Sequence, residues 1–272
     1  MDERAHRRLQ IINELRKAIR EQHLTVHYQP ILDLTNGQVW KAEALLRWTH
    51  PVWGEVPPAQ FIPLAEEAGL INTLGNWVFR EAALCCKRCI EQAGHAFQMG
   101  INKSPMQFTT READGNWLQF LEEIGLNGSS ISIDITEGVL LRSNAAVGDK
   151  LQSYRAAGME LALDDFGTGY SSMVYLLKFQ IDYVKIDQSF VRELAPDNDC
   201  RAIAEAIITM SHKLGKKVIA EGIETREQLE ILLKAGCDYG QGFLFSRAVP
   251  ADQLFAMIGP DKQFITAGLS HA

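Results

Sequence analysis

Two adjacent carboxylates end an apolar run in the stretch ELALDDFGTGYSS, residues 160–172. Residues 161–163 are typical of the last buried positions of a strand, and Asp164 and Asp165 follow them directly. Two neighbouring acids at the edge of a core repel each other and lose hydration, so a positive charge must offset them. The glycine loop that follows, residues 167–172, has two compatible interpretations: a mobile cover over this site, and an ordinary strand-to-helix connection with Ser171 as the N-cap.

Other apolar runs also end in polar residues. The members of this set are Glu43, Asn102, Asp134, Glu137, Lys185, Asp187, Glu221, Glu224 and Gln241. Five or six carboxylates in one pocket cannot all stay ionised when only Lys185 and Arg47 offer positive charge. Carboxylate and amide oxygens, without cysteine or histidine, indicate hard divalent ions such as Mg²⁺ or Mn²⁺. Adjacent aspartates can also bridge two ions, which is a known arrangement for hydrolysing phosphate esters.

The elements that must position these residues alternate between strand-like and helix-like segments. Segments 24–34 and 39–50 are strand-like, and Asn36-Gly37 between them predicts an antiparallel hairpin. Later strands are apolar on both faces and are separated by helices, which indicates a parallel sheet covered by helices. The last strand is expected in GQGFLF, residues 240–245.

Eight strands in 272 residues fit an α/β fold of the TIM type, a (β/α)8 barrel modified by one antiparallel strand. In such a barrel the carboxyl ends of the strands meet at one mouth, which would gather the polar set. The competing fold is an open doubly wound sheet, for which a glycine-rich phosphate fingerprint is expected after the first strand. YQPILDL, residues 28–34, contains none.

The chain divides into a helix, a barrel and a tail. Residues 1–22 have helical periodicity and form either a connector from an upstream domain or an amphipathic helix packed on its own domain. One barrel domain is expected over residues 23–260, followed by a C-terminal tail over 261–272.

The bulk composition excludes several classes of protein. A net charge of −7 argues against a protein that coats a nucleic acid polymer. No stretch approaches the roughly 20 apolar residues of a membrane span, and no signal sequence opens the chain, so a cytoplasmic protein is expected. Five cysteines cannot all pair, and Cys86 and Cys89 lack partners for a zinc site, so these thiols are expected to be reduced.

The polar set lies in motifs that resemble those of EAL domains, the cyclic di-GMP phosphodiesterases. The resemblance rests on EALLRW, in which the family signature begins at Glu43. The further motifs, in family order, are HYQPI, FIPLAEEAGLI, INKS, DITE, DDFGTGYSS, VKID, AEGIET and GQGFLFSR. The resemblance covers nearly the whole chain. It implies a modified barrel that uses two Mg²⁺ or Mn²⁺ ions to open one phosphodiester of cyclic di-GMP, giving linear 5′-pGpG, with Ca²⁺ expected to inhibit.

The resemblance also implies a role for each site residue. One metal would be bound by Glu43, Asn102, Asp134 and Asp164, and the second metal and the water between the two would be served by Asp164, Asp165 and Glu221. Lys185 would contact that water or the scissile phosphate, and Glu221 is a proposed general base in this family. Arg47 would hold a phosphate oxygen, Gln29 would contact the ligand, Gln241 would support the site, and Glu137 would hold the glycine loop in place.

One position departs from the family pattern. Asp134 stands where the family usually has Glu, so the motif reads DITE. Its side chain reaches less far by one methylene, and metal binding is expected to survive with altered affinity. The alternatives are a catalytically weak or inactive EAL domain that acts as a cyclic di-GMP receptor, and an enolase-type lyase. The resemblance further implies a homodimer and an upstream diguanylate cyclase (GGDEF) or sensory domain.

Overall fold

The structure is a computed structural model that describes residues 3–108, 116–141, 145–167, 173–259, 262 and 264. Residues 168–172 of the glycine loop lie outside the described residues, as does the predicted tail apart from residues 262 and 264. In the described part of the chain, no helix combines the length and apolarity that a membrane span requires.

Eight strands form a closed barrel. The described strands are β1 (Leu24–Asp33), β2 (Val39–His50), β3 (Gly54–Val56), β4 (Gln98–Asn102), β5 (Ile131–Thr136), β6 (Glu160–Phe166), β7 (Tyr183–Ile186), β8 (Lys217–Ala220) and β9 (Tyr239–Gly240). The ring runs in the order β1, β2, β4 to β9, and β9 pairs back to β1. Strand β1 is antiparallel to both neighbours and the other ring pairs are parallel, which confirms the predicted barrel with one antiparallel strand. Strand β3 is additional and pairs antiparallel with the end of β2.

Helices cover the outside of this barrel. The described α-helices are α1 (Glu3–Glu21), α2 (Pro58–Glu67), α3 (Ile71–Ala93), α4 (Trp117–Ile124), α5 (Glu137–Leu141), α6 (Ala145–Ala156), α7 (Met173–Lys178), α8 (Gln188–Arg192), α9 (Asp199–Lys213), α10 (Arg226–Lys234) and α11 (Ala251–Met257), with short 3-10 helices at Pro105–Phe108 and Gly128–Ser130. Local sequence sets several of their ends. Thr225 and Gln228 form a capping box at the start of α10, and Gly94 ends α3 in the left-handed conformation.

The interior of the barrel is layered because successive strand residues point to opposite faces. Residues that face outward pack under the helices; on β5 these are Ile131, Ile133 and Ile135. A small apolar layer lies inside, where Ala162 and Ile219 pack together. Two residues further along the chain from each lie two acids of the polar set, Asp164 after Ala162 and Glu221 after Ile219. The period of two therefore delivers those acids together at the carboxyl end of the barrel.

The other end of the barrel is closed by a buried polar network around Lys41. The Lys41 ammonium donates to Gln98 Oε1 and lies 3.6 Å from the centroid of the Tyr183 ring. Gln98 Nε2 and the Tyr183 hydroxyl both donate to Glu160 Oε2, each at 2.6 Å. Burial lowers the pKa of Lys41 to about 8, although the charge of Glu160 opposes this.

The N-terminal helix packs on its own domain. Ile11, Leu15 and Ala18 are buried in a core cluster that α1 shares with α2 and the end of β2. Of the two interpretations of residues 1–22, the structure shows the packed helix. Its role as a connector from an upstream domain stays a prediction.

The last strand is shorter than the sequence predicts. Strand β9 ends at Gly240, and the following residues turn, with Phe245 N donating to Gly242 O at 3.1 Å. The chain crosses directly over Ile223 here. A Cβ added to Gly242 would lie 2.1 Å from the Ile223 carbonyl oxygen, so a close approach of backbones replaces strand pairing. The prediction of a strand over residues 240–245 was wrong beyond its first residue.

Candidate active site

Four acidic side chains surround one ammonium group at the carboxyl end of the barrel. Lys185 on β7 is completely buried. Its Nζ lies 2.7 Å from Glu221 Oε1, 3.0 Å from Asp134 Oδ2, 3.3 Å from Asp164 Oδ1 and 3.5 Å from Glu43 Oε2. These five residues come from five different strands or strand ends and span 179 positions of sequence, from residue 43 to residue 221.

Two amide side chains complete the hydrogen bonding of Glu43. Asn102 Nδ2 donates to Glu43 Oε1 at 2.5 Å, and Gln241 Nε2 donates to Glu43 Oε2 at 2.8 Å. Gln241 Nε2 also lies 3.2 Å from Glu221 Oε1, so it joins two of the acids. Among the described residues, Gln241 Oε1 is buried without a hydrogen-bond partner. A buried acceptor of this kind indicates that a donor or cation belongs beside it.

The charges in the cluster do not balance. When all four acids are ionised, four negative charges face the single positive charge of Lys185. Burial alone would raise the pKa of Glu43, but Lys185, Gln241 and Asn102 hold that pKa below its ordinary value. Those four acids in turn raise the pKa of Lys185 well above its ordinary value against the effect of burial.

The excess of negative charge raises the pKa of two other acids in the cluster, Asp134 and Glu221. Burial, together with the charges of Glu43 and Asp164, raises the pKa of Asp134 to about 6. The same causes raise the pKa of Glu221 well above its ordinary value. A group that holds a proton more tightly than a free carboxyl is suited to act as a base near neutral pH.

Asp165 lies at the rim of the cluster on an irregular part of β6. The register of β6 against β7 shifts between Leu163 and Phe166, and Asp165 has a φ of 55°, in the left-handed region. Partial burial and the negative charges of Asp164 and Asp187 raise the pKa of Asp165 to about 6. Of these two adjacent aspartates, Asp164 forms an ion pair of 3.3 Å with Lys185, and the charge of Lys185 also acts on Asp165.

Glu137 lies beside the start of the glycine loop. It is buried as the first residue of α5, and its Oε1 accepts a hydrogen bond of 3.1 Å from Gly167 N. Gly167 has a φ of 98°, and a Cβ there would lie 2.9 Å from the Phe190 ring, so glycine is required at this position. Its role in holding the rest of the loop stays a prediction.

Three of the four acids around Lys185 reach an open cavity of about 480 Å³, whereas Asp134 lines, with Asn102, a second cavity of about 340 Å³ that shares Arg47 with the first. Glu43, Asp164, Glu221 and Gln241 line the floor of the first cavity, and Gln29 and Arg47 line its wall. Gln29 Nε2 donates to Ser246 O at 3.2 Å, which fixes its amide at the edge of the cavity. The structure therefore brings the predicted substrate-binding residues Gln29, Arg47 and Gln241 to the same cavity as three of the six predicted metal ligands, which are Glu43, Asp164 and Glu221.

Sequence reasoning missed several residues of the cavity wall. These are His27, Glu55, Gln188, Arg192, Phe243 and Arg247. The guanidinium of Arg247 lies 4.0 Å from the centroid of the Phe243 ring, and Arg192 Nε lies 3.5 Å from Glu224 Oε1. Arg247 ends the motif GQGFLFSR quoted above, and its basic charge was the available signal, whereas Arg192 lies outside every motif considered in the sequence.

The donor set fits divalent cations in its chemistry. In the described part of the chain, no three histidine, cysteine or acidic side chains converge as a ready-made metal site, because the carboxylates turn toward Lys185. The excess of buried negative charge and the unpartnered Gln241 Oε1 are the features that a hard cation with oxygen ligands would satisfy.

Comparison with known proteins identifies relatives of this chain. A sequence model described as the EAL domain matches residues 12–248. The chain is 39% identical over 259 residues to the bifunctional diguanylate cyclase/cyclic di-GMP phosphodiesterase MucR of Pseudomonas aeruginosa, covering 95% of this chain and 38% of that protein. It is 40% identical over 250 residues to the cyclic di-GMP phosphodiesterase NbdA of the same organism, covering 91% of this chain and 32% of NbdA. The chain thus spans about a third of the length of these curated relatives.

Solved structures with the same fold include ligand complexes. The EAL enzyme Bd1971, in a form with cAMP and cyclic di-GMP bound, superposes with a TM-score of 0.89 at 32% identity, covering 94% of this chain and 70% of that one. The PaMucR phosphodiesterase in complex with cyclic di-GMP gives a TM-score of 0.83 at 39% identity, covering 90% and 99%.

Proposed function

The chain belongs to the EAL domain family, and on that premise we propose that it hydrolyses cyclic di-GMP to linear 5′-pGpG in bacterial second-messenger signalling. The observation that carries this proposal is the buried cluster of four acids around Lys185, three of which line the same cavity as Gln29 and Arg47. Such a concentration of buried charge is energetically costly, and catalysis through metal ions would give it a role. The names of the relatives support the substrate.

The cavity wall suits a ligand that carries two phosphates and two flat bases. Arg47 offers a planar guanidinium for a phosphate oxygen. Burial lowers the pKa of Arg47, but an arginine side chain stays positively charged near neutral pH. Arg192 and Arg247 add positive charge at the mouth. Phe243 is 48% exposed, and its ring is a stacking surface at the cavity.

We further propose a site for two Mg²⁺ or Mn²⁺ ions. The residues that would hold them are Glu43, Asn102, Asp134, Asp164, Asp165 and Glu221. When bound, the ions would neutralise charge at the phosphate and acidify water. Replacement of these ions by Ca²⁺ is expected to stop turnover.

The side chains supply the remaining chemistry. Glu221 reaches the cavity with a raised pKa and would accept a proton from the attacking water. As the water oxygen bonds to phosphorus, the bond from phosphorus to the 3′-oxygen breaks, and that oxygen takes up a proton from solvent in the open cavity. Lys185, 2.7 Å from Glu221, would hold the water or a phosphate oxygen in line. Asp165 at the rim would orient the water from the other side.

The test is product formation by matched variants. Wild-type chain with cyclic di-GMP and Mn²⁺ should give pGpG on chromatography, while Glu43→Ala and Asp164→Ala should lose turnover by about 100-fold or more because the site loses oxygen ligands. Glu91→Ala, an exposed acid on α3, should keep the wild-type rate. Tight binding of cyclic di-GMP with no product from the wild-type chain would instead establish the receptor.

An apolar patch supports a homodimer. Val174 and Leu177 on α7 are 66% and 63% exposed, and Ile203 on α9 is 38% exposed. Leu177 lines one surface cavity together with Ala202, Ala206 and Met210 of α9. Exposed apolar side chains on neighbouring helices favour a protein interface, and we propose that a second copy covers them. Leu177→Glu should shift the mass measured by light scattering from dimer to monomer, and Leu84→Glu, at an exposed leucine on α3, should not. A monomeric wild-type chain would contradict the dimer.

The accompanying domains and the cellular location of this chain are also proposals. A GGDEF or sensory domain that accompanies this chain is supported by the greater length of MucR and NbdA. A cytoplasmic location is proposed with it.

A further inference from the structure

The hairpin formed by the end of β2 and β3 has two different faces. In its register Thr49 pairs with Glu55 and Trp48 pairs with Val56. Because strand residues alternate between faces, Arg47 and Glu55 lie on one side of the hairpin and Trp48 and Val56 lie on the other. The first side forms part of the wall of the 480 Å³ cavity. The second side is buried against other parts of the domain.

Helix α1 contacts the second side of the hairpin through a hydrogen bond between Glu14 and His50. Glu14 Oε2 lies 3.1 Å from His50 Nε2. His50 Nδ1 accepts hydrogen bonds of 3.1 Å from both Val52 N and Trp53 N, so the ring proton is on Nε2 and is donated to Glu14. The His50 ring also stacks on Trp53 with centroids 3.9 Å apart, and the Arg7 guanidinium lies 4.1 Å from the centroid of a Trp53 ring.

Apolar side chains of α1 also pack against the second side of the hairpin. Leu15 is completely buried and Ile11 is 6% exposed, and both belong to the same core cluster as Trp48 and Val56. Well-packed side chains transmit displacement rather than absorb it, because the interior has few voids. A movement of α1 must therefore move the hairpin.

We propose that α1 positions the hairpin wall of the substrate cavity, so that a displacement of α1 changes the affinity of the site for its nucleotide. This inference rests on the proposed function for its ligand. The wall carries Arg47, the predicted phosphate contact, and Glu55, whose charge acts on Arg47. Of the acids around Lys185, Asp134, Asp164 and Glu221 lie on or directly after other strands, and Glu43 lies on β2 before the part that pairs with β3. A shift of α1 should therefore change substrate binding more than the chemical step, and Glu14 is a positioning residue.

The experiment compares three variants of α1 in the full chain. Glu14→Ala removes the acceptor of the His50 proton. Glu14→Gln keeps an acceptor oxygen and should rescue the effect. Arg16→Ala changes an exposed residue on the solvent side of the same helix and is the matched control.

Two readouts separate positioning from general stability. Glu14→Ala should raise KM for cyclic di-GMP by about 2-fold to 30-fold while kcat stays within about 2-fold, as expected for coupling transmitted through packed residues. Amide hydrogen exchange in residues 47–56 should become faster in the same variant, while exchange in β5 and β7 should not change. Arg16→Ala should leave KM, kcat and exchange as in the wild type.

Wild-type KM and wild-type exchange in Glu14→Ala would overturn the inference. A fall in kcat with unchanged KM would also overturn it, since the hairpin would then act on chemistry and not on binding. If the wild-type chain produces no pGpG, the proposed function fails separately. The inference is then decided by the dissociation constant for cyclic di-GMP from calorimetry and by exchange in residues 47–56, which do not require turnover.

Discussion

Replacement of Lys185 by methionine tests the electrostatics of the site in isolation from catalysis. Methionine has a similar length and removes the ammonium group that lies 2.7–3.5 Å from four carboxylates. Lys185 is completely buried, so water cannot take its place without rearrangement. Without metal, Lys185→Met leaves a group of acids with no compensating positive charge among them.

The magnitude follows from the cost of an unpaired buried charge. Removing one partner of a buried ion pair costs about 3–5 kcal/mol. For a chain of this size, about 2–4 °C of melting temperature corresponds to each kcal/mol, so Lys185→Met should melt about 6–20 °C lower in EDTA. Acids with a raised pKa stabilise the folded chain while they are protonated, and this contribution is lost as the pH rises through their folded pKa. Because the pKa of Asp134 is about 6, the loss should be larger at pH 8 than at pH 5.

The assay is thermal unfolding by calorimetry at pH 8, with EDTA and with Mn²⁺. Mn²⁺ should recover part of the loss, because a bound cation replaces the missing positive charge. Lys41→Met is the matched control, since Lys41 is also buried in the barrel but lies at the opposite end beside Tyr183. Its change in melting temperature should be independent of Mn²⁺. Equal melting temperatures for Lys185→Met and the wild type in EDTA would refute the reasoning.

Two further predictions concern one site residue and one residue at the far end of the barrel. Asp134→Glu should hold or raise turnover measured by chromatography, because the added methylene restores the reach usual in the family, and a large loss would show that the site has adapted to Asp. Asp238 has its pKa held below the ordinary value, against burial, by hydrogen bonds from Lys217 and His212. Its stabilising contribution is present above the unfolded pKa of about 3.9 and disappears as the pH falls through the lower folded value. Asp238→Asn should therefore lower the melting temperature at pH 7 but not at pH 2, and equal shifts at both pH values would contradict this sign.

The layering of the barrel explains why so much of the site is predictable from sequence. Apolar runs that end in or near an acid indicate strands and their direction, which is how Asp134 and Asp164 could be assigned to one mouth. Glu43 was assigned to the same mouth, although it is the fifth of the twelve residues of β2 and does not end that strand. The Asn36-Gly37 turn gave the antiparallel pairing of β1 with β2 for the same local reason. These features depend on neighbouring residues only.

Features that depend on distant contacts were not predictable. The turn after Gly240 arises because Gly242 packs on the backbone of Ile223, and no local pattern records that approach. The network around Lys41 could not be predicted from the sequence for a similar reason, since Lys41 and Glu160 come close together only when the barrel closes. The contact of Glu14 with His50 likewise joins residues 36 positions apart.

A single reaction followed in time tests the central claim most directly. Purified wild-type chain is incubated with cyclic di-GMP and Mn²⁺, EDTA is added partway, and excess Mn²⁺ is added later while pGpG is quantified by chromatography. We predict that pGpG accumulates, stops on chelation and resumes when Mn²⁺ returns. Accumulation that continues unchanged through chelation would contradict the role of divalent ions, and cyclic di-GMP that stays intact throughout would contradict hydrolysis itself.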